Sequence, residues 1–151
     1  MLKALSGALL QGGCGPYNRL FVQAVFYGEK NGREPVNDFI DRLSPERQEE
    51  IHHTISLLNR LAASDPPLPF RYSSQVDGQL RELRCHYGRE LYRVLYRRSR
   101  NLFVLLHASE KHTQMIPQAD IDITNARWTD FQTRMNAERK RPPRPAGRDA
   151  P

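Results

Sequence analysis

Six arginines lie within eighteen consecutive positions in the middle of the chain: Arg81, Arg84, Arg89, Arg93, Arg97 and Arg98. A guanidinium group binds phosphate oxygens through paired hydrogen bonds, so a cluster of them suits an RNA or DNA backbone. The apolar residues between them alternate as in β-strands, where residues two apart share a face. Residues 79–117 are therefore predicted to form a basic β-sheet surface that binds a phosphate backbone.

Arg93 lies among leucines on one face of a predicted strand. A guanidinium in such a place needs a partner, because an unpaired buried charge is costly. Two interpretations fit: Arg93 pairs with Glu82 across the sheet, or it contacts a phosphate. The second is favoured because Glu82 and Glu90 cannot neutralise all the neighbouring arginines, although a solvated basic face also fits.

The last strand of this region leads into a polar loop, residues 107–117. Loops at strand ends often carry functional groups. Lys111 can donate to anions, and His107 and His112 titrate near neutral pH. For any single histidine, surface exposure or core packing is the commoner explanation, so their part in proton transfer stays open.

The predicted elements follow the order β-α-α-β-β-β-α, which indicates an α+β fold with a small antiparallel sheet, a helical hairpin and a C-terminal helix. Pro35 and the pair Ser44-Pro45 predict the two helix starts, and prolines predict a helix end near Ala63. The strands are expected at Val22–Tyr27, Leu80–His86, Leu91–Arg97 and Leu102–Ala108, and the last helix at Gln118–Met135.

Periodicity also predicts which side chains face the helices. On the middle strand of the meander, Tyr92, Val94 and Tyr96 share the face opposite Arg93 and are expected to pack against the hairpin. The last helix has its apolar positions at Ile121, Ile123, Trp128 and Phe131.

The net charge of +6 in 151 residues is concentrated in two places. Residues 70–112 hold nine basic and four acidic side chains, and residues 134–151 carry a net charge of +4. This balance favours an acidic partner such as nucleic acid. We predict a flexible extension at 1–21, one domain at 22–135 and a disordered basic Pro/Arg-rich tail at 136–151.

The two cysteines, Cys14 and Cys85, have no spacing typical of a metal site or a disulfide framework. No metal or other cofactor is expected, nor a membrane span, since no apolar run approaches about 20 residues. A cytoplasmic location is the default expectation. The start of the chain faintly imitates a signal peptide. We interpret it as an extension, with a lipid-modified Cys14 as the alternative.

Several short motifs follow one another along the chain: Val25-Phe26-Tyr27, Pro35-Val36-x-x-Phe39, Leu83-Arg84, Tyr92-Arg93-Val94-Leu95-Tyr96, Leu105-Leu106-His107 and Lys111-x-Thr113-Gln114-x-x-Pro117. In this order they resemble the motifs of toxins of the RelE/ParE superfamily, and most closely its HigB-like, phage-associated branch. The resemblance covers residues 22–135. One loop departs from the usual Lys-Lys-Thr-Gln-Lys-Thr-Pro at His112, Met115 and Ile116, which removes two positive charges.

The resemblance implies the toxin of a type II toxin–antitoxin system, a metal-independent endoribonuclease that cuts mRNA on the ribosome. A ribose 2′-OH would attack the adjacent phosphate. Lys111 and Arg93 would then lie at the scissile phosphate, with Arg84 in support and His107 or His112 as acid or base. The remaining RNA contacts would come from Arg81, Arg89, Arg97, Arg98, Gln114 and two candidate stacking residues, Tyr87 and Tyr92.

The implied partners are mRNA, the ribosomal A site and a cognate helix-turn-helix antitoxin (HigA-like) in a hetero-oligomer. Two alternatives stay open. One is a ParE-like toxin that poisons DNA gyrase. The other is an inert toxin homologue that acts as a binding module, an idea that the altered loop at 112–116 supports.

Overall fold

A six-stranded sheet lies between a helical hairpin and a third helix in the part of the chain that the structure, a computed structural model, describes: residues 21–137 and 142–148. The α+β prediction is confirmed. In chain order the elements are β1 Gln23–Phe26, α1 Pro35–Asp41, α2 Pro45–Leu58, β2 Ser73–Asp77, β3 Leu80–Tyr87, β4 Glu90–Ser99, β5 Leu102–Glu110, α3 Gln118–Met135 and β6 Arg144–Pro145.

The strands are arranged in the order β2-β3-β4-β5-β1-β6. The predicted meander of β3, β4 and β5 is present and antiparallel. The sheet as a whole is mixed, because β1 runs parallel to β5 and is connected to the rest by a crossover that contains α1 and α2. Strands β2 and β6 were not predicted, since Ser73–Asp77 is polar and Arg144–Pro145 is only two residues long.

The helical hairpin covers one face of the sheet, as predicted. Tyr92, Val94 and Tyr96 are buried in the core that this face forms with α1 and α2. Helix α2 begins at Pro45, and the Ser44 hydroxyl caps it by accepting from the Arg47 amide at 3.4 Å.

The predicted end of α2 near Ala63 is wrong, because the helix ends at Leu58. The side chain of Asn59 accepts a hydrogen bond from the Ala24 amide at 2.7 Å. The Leu61 carbonyl accepts another from the Val22 amide at 2.9 Å. The chain therefore leaves the helix early, since residues 59–61 bind the backbone of β1 and its approach.

Helix α3 covers the opposite face of the sheet at β1 and β5. Trp128 and Phe131 are buried there, as predicted. Ile123 is 40% exposed, so its predicted core position is wrong, and Thr124 takes the buried place beside it. The Thr124 hydroxyl donates to the Asp120 carbonyl at 2.7 Å, which satisfies this buried polar group. Across the described residues, none of the helices combines the length and apolar character needed to span a membrane.

The C-terminal segment 142–148 is ordered against β1, contrary to the predicted disorder. Ala146 is buried, and its amide donates to the Ala24 carbonyl at 2.8 Å. Arg144 forms an ion pair with Glu34 at 2.7 Å. The segment docks because small residues and a paired charge meet the open edge of β1. Residues 1–20 of the predicted N-terminal extension (1–21) and the tail residues 138–141 and 149–151 lie outside the described residues.

Candidate functional site

Arg93 lies on the α3 side of β4 and is 3% exposed. Its Nη2 donates to the carbonyl oxygens of Thr113 and Gln114, each at 2.9 Å. Its Nε lies 3.6 Å from Glu82 Oε1, which is an ion-pair distance rather than a hydrogen bond. Protein groups thus occupy this guanidinium, and they fasten the loop that follows β5 to the sheet.

Glu82 is shared by two arginines. It is buried, and Arg84 Nη1 donates to its Oε1 at 3.1 Å. Arg84 lies directly opposite Arg93 in the register of β3 and β4. Two guanidinium groups on one carboxylate leave a net positive charge on this part of the sheet, which attracts anions.

An aromatic ring, Phe70, lies next to Arg84 at the outer end of the series Arg93, Glu82 and Arg84. The guanidinium carbon of Arg84 lies 5.1 Å from the ring centroid of Phe70, and the Arg84 side chain is 16% exposed. Contacts therefore run without a break from Phe70 through Arg84, Glu82 and Arg93 to the loop. We call these four residues and the loop 111–115 the candidate face.

The loop of the candidate face is held by its main chain and presents its side chains outwards. The Lys111 amide donates to the Leu91 carbonyl at 2.7 Å, while Lys111 Nζ reaches Gln114 Oε1 at 3.3 Å. His112 and Met115 are exposed. Lys111, His112 and Gln114 are therefore the predicted site residues that this loop brings to the surface, on the side of the sheet that also carries Arg84.

His107 is held beneath α3, apart from these exposed loop side chains. Leu95 pairs with His107 and Tyr96 with Leu105, so one residue of β5 is extra and a bulge turns His107 towards α3. Its Nδ1 lies 3.2 Å from Arg127 Nη1, and its Nε2 lies 3.2 Å from Asp120 Oδ1. Burial lowers the pKa of His107 from its usual value of 6.5, which favours the neutral imidazole. The side chain packs between β5 and α3.

Arg97 shares the α3 side of the sheet with Arg93 but is covered. Its guanidinium carbon lies 4.6 Å from the ring of Trp128 on α3, a cation–π contact. This contact covers the flat face of the guanidinium and packs Arg97 against α3.

Arg81 and Arg98 lie on the opposite side of the sheet, so the predicted continuous basic surface is divided. Arg81 Nε donates to Ser73 Oγ at 3.2 Å, and Arg98 Nη1 donates to the Ala63 carbonyl at 3.0 Å. Both line a cavity of about 310 Å³ beside the proline-rich loop after α2. Alternation along β3 and β4 separates them from Arg84 and Arg93.

The two tyrosines predicted to stack on bases also lie on the hairpin side. Tyr87 packs under Arg47, whose guanidinium carbon is 4.6 Å from the ring centroid. Tyr92 is buried, and its hydroxyl donates to Glu90. Hydrogen bonds from Arg47 lower the pKa of Glu90 to about 2. Arg89 is exposed in the turn between β3 and β4.

Sequence reasoning missed one member of the candidate face. Phe70 comes from the loop after α2, where the prolines indicate an irregular segment and no periodicity shows which side chains are exposed. Glu82 was named only as a possible partner of Arg93, and its bond to Arg84 was not foreseen. Among residues 21–137 and 142–148, no three His, Cys, Asp or Glu side chains are grouped as a metal site would need.

A family model described as "Phage derived protein Gp49-like (DUF891)" matches residues 38–129, which is more than half of the chain. A search of curated proteins gives no match. The matched region includes α2, the whole meander and the loop of the candidate face. On this evidence the chain belongs to the Gp49-like family of phage-derived proteins, which is a family of RelE-like toxins.

Proposed function

We propose that the chain is the toxin of a type II toxin–antitoxin pair, of the HigB-like branch, and that it cleaves mRNA in the ribosomal A site. The observation that carries this proposal is the fixed position of the Lys111 loop. Arg93 holds the loop by two hydrogen bonds of 2.9 Å, on the same face as Arg84. Cations held in place beforehand stabilise a charged transition state without reorganising during the reaction.

In the proposed reaction the ribose 2′-oxygen forms a bond to the adjacent phosphorus, and the bond from phosphorus to the 5′-oxygen breaks. The 2′-OH loses its proton to a base, and the departing 5′-oxygen gains one. Charge accumulates on the phosphoryl oxygens, so a cation there favours the transition state over the ground state. Lys111 supplies that charge, and Arg84 supports it from β3.

In this proposal the roles of Arg93 and His107 differ from those that the resemblance implies. Arg93 is a positioning residue for the loop, because it is buried, its Nη2 donates to the Thr113 and Gln114 carbonyls, and its Nε lies 3.6 Å from Glu82. His112, exposed in the same loop, is the candidate acid or base, and a well-placed one contributes about 10²–10⁴-fold. The mRNA is the proposed substrate and the ribosome is the proposed partner that positions it. An antitoxin with a helix-turn-helix domain would mask the candidate face.

The test is primer extension on cellular mRNA after induction of the wild-type chain, the Lys111→Ala variant and the Lys30→Ala variant. Lys30 is an exposed lysine in the turn after β1, away from the candidate face, so it is the matched control. We expect new 5′ ends with wild type and Lys30→Ala. With Lys111→Ala they should fall about 10²–10³-fold, the loss typical for removal of one charge-stabilising donor. DNA damage without new 5′ ends would instead support a gyrase poison.

One observation favours a second candidate, a binding module without activity. Arg93 and Arg97 are both occupied by protein groups, and the loop lacks two of the lysines found in similar toxins. A growth assay separates the two candidates. If neither wild type nor Lys111→Ala slows growth, while the chain still binds its antitoxin, the binding module is correct.

A further inference from the structure

An exposed aromatic ring projects from a strained turn beside the candidate face. The Tyr72 amide donates to the Pro69 carbonyl at 3.1 Å, which closes a four-residue turn with Phe70 at its second position. Arg71, at the third position, has φ of 84°. Type II turns require a positive φ there and usually place glycine at that position, so a bulky residue is uncommon. The turn therefore holds Phe70 outwards at a cost in backbone strain.

Phe70 is exposed but not loosely held. It is 74% exposed, and Arg84 lies against its ring at 5.1 Å. The turn is bonded to β3 through two successive carbonyl groups, those of Arg71 and Tyr72. His86 Nε2 lies 3.0 Å from the Arg71 carbonyl, and the Arg84 amide donates to the Tyr72 carbonyl at 2.8 Å. One side of the ring thus rests on a cation, while the exposed fraction leaves the other side to solvent.

We propose that Phe70 is a base-stacking residue that binds an unpaired nucleobase of single-stranded RNA. The inference rests on the proposed function and deepens it, because it assigns an RNA contact outside the Lys111 loop. Single-stranded RNA is bound by aromatic rings that stack on bases and by cations that hold the backbone between them. Phe70 supplies the ring, and Arg84 and Lys111 supply the cations.

The spacing and charge of the candidate face favour RNA over a protein partner. Arg84, which lies against the Phe70 ring, is on β3, and the Lys111 loop follows β5. Two strand spacings, about 10 Å, therefore separate Arg84 from the loop. An extended strand of RNA can contact both ends. The groups next to the ring, Arg71 and Arg84, are cationic, and together with Lys111 they suit the phosphates of a polyanion.

The experiment combines a change in the protein with a change in the RNA. Binding of a fluorescent uridine ten-mer with 2′-O-methyl groups, which block 2′-OH attack, is measured by anisotropy at low salt. Copies of the ten-mer carry one abasic site at each position in turn. The proteins are the full-length wild type, Phe70→Leu, Phe70→Trp and Phe21→Leu. Phe21 is a second exposed phenyl ring, bridged to Ala62 away from the candidate face, and it controls for the loss of a surface aromatic.

We expect Phe70→Leu to weaken binding of the intact RNA by about 5- to 150-fold, which is the value of one base stacked on an aromatic ring. An abasic site at one position of the RNA should weaken binding by the wild type by a similar factor. The same abasic RNA should bind Phe70→Leu as tightly as the intact RNA does. Phe70→Trp and Phe21→Leu should bind like wild type. Because Phe70 is mostly exposed, the leucine variant is expected to fold, which its melting temperature will verify.

Two outcomes overturn the inference in different ways. If wild type and Phe70→Leu bind equally and respond equally to every abasic site, Phe70 does not stack on a base, and a protein contact becomes its explanation. The proposed nuclease function then survives. If wild type binds no RNA even at low salt, the inference fails together with the phosphate-binding face on which the proposed function depends.

Discussion

Arg93 donates a hydrogen bond of 2.9 Å to the main-chain oxygen of Gln114, a residue 21 positions further along the chain. This bond, with its twin to Thr113, ties the middle of the sheet to the loop that carries Lys111. A buried guanidinium bonded to carbonyl oxygens orders a loop without help from a ligand. The position of Lys111 is therefore set by the fold before any RNA arrives.

Replacement of Arg93 by methionine should destabilise the chain by about 3–5 kcal/mol, the cost of removing one partner from a buried charged pair. The methionine fills part of the space, but Glu82 keeps only Arg84, and two loop carbonyls lose their donor. Urea unfolding measures the loss. Arg89→Met, in an exposed turn, is the control and should change stability by no more than about 0.5 kcal/mol. If Arg93→Met is as stable as wild type but inactive, Arg93 acts directly on phosphate.

The ion pair between Glu90 and Arg47 should make the stability of the fold depend on pH in the acid range. Hydrogen bonds from Arg47 lower the pKa of Glu90 from 4.5 to about 2 in the folded chain. A carboxyl with a depressed folded pKa stabilises the fold above its unfolded pKa, and this contribution is lost as the pH falls. The melting temperature of wild type should exceed that of Glu90→Gln by a constant amount above about pH 5.

Between pH 4.5 and 2 the difference in melting temperature between wild type and Glu90→Gln should shrink, because Glu90 becomes protonated. Glu110→Gln, which changes an exposed carboxylate at the end of β5, provides the matched comparison. If the difference in melting temperature between wild type and Glu90→Gln stays constant down to pH 2, the ion pair of Glu90 with Arg47 is not formed in solution.

Gly147→Ala should release the C-terminal segment from β1. Gly147 has φ of 110°, and an added Cβ would lie 2.5 Å from Asn59 Nδ2. Asn59 cannot move aside cheaply, because the same amide donates to the Ala146 carbonyl at 2.9 Å. Hydrogen exchange of the Ala146 amide, which bonds Ala24, should accelerate at least tenfold.

Gly78→Ala is the control for this change, since Gly78 also has a positive φ of 59° but meets nothing within 4 Å. It should cost about 1–2 kcal/mol from backbone conformation alone and leave exchange at Ala146 unchanged relative to the rest of the sheet. Equal exchange at Ala146 in both variants would mean that the segment does not depend on the close approach at Gly147.

Cys85 should resist thiol reagents until the chain unfolds. Burial raises the pKa of its thiol to about 12, so almost no thiolate is present at pH 8. In a Cys14→Ser background, we expect no modification of the native chain by iodoacetamide within hours and complete modification in urea, both read by mass spectrometry. Rapid labelling without urea would show that the contact between α2 and β3 opens often.

Particular residues made the element order readable from the sequence. Ser44 followed by Pro45 marks a helix start by local chemistry alone, and short turns between alternating apolar runs indicate the meander. Alternation also gave the buried faces of Tyr92, Val94 and Tyr96 correctly. These features depend on neighbours within a few positions, so the sequence by itself determines them.

The tertiary structure decided which of the arginines are available. Strand alternation alone places Arg81 and Arg98 on the face opposite Arg84 and Arg93, but only the fold packs Arg97 on Trp128 and bonds Arg93 to the loop. Likewise, α2 ends at Leu58 because Asn59 bonds the distant strand β1.

The candidate site likewise depends partly on local sequence and partly on tertiary contacts. The sequence determined that Lys111 follows a strand in a polar loop, since strand and loop are local properties. Only the fold decided that Arg93 bonds to the main chain of that loop and that Phe70 lies beside Arg84. Such partners come from segments 14 to 21 positions apart, and their meeting depends on strand pairing and burial, which no local pattern encodes.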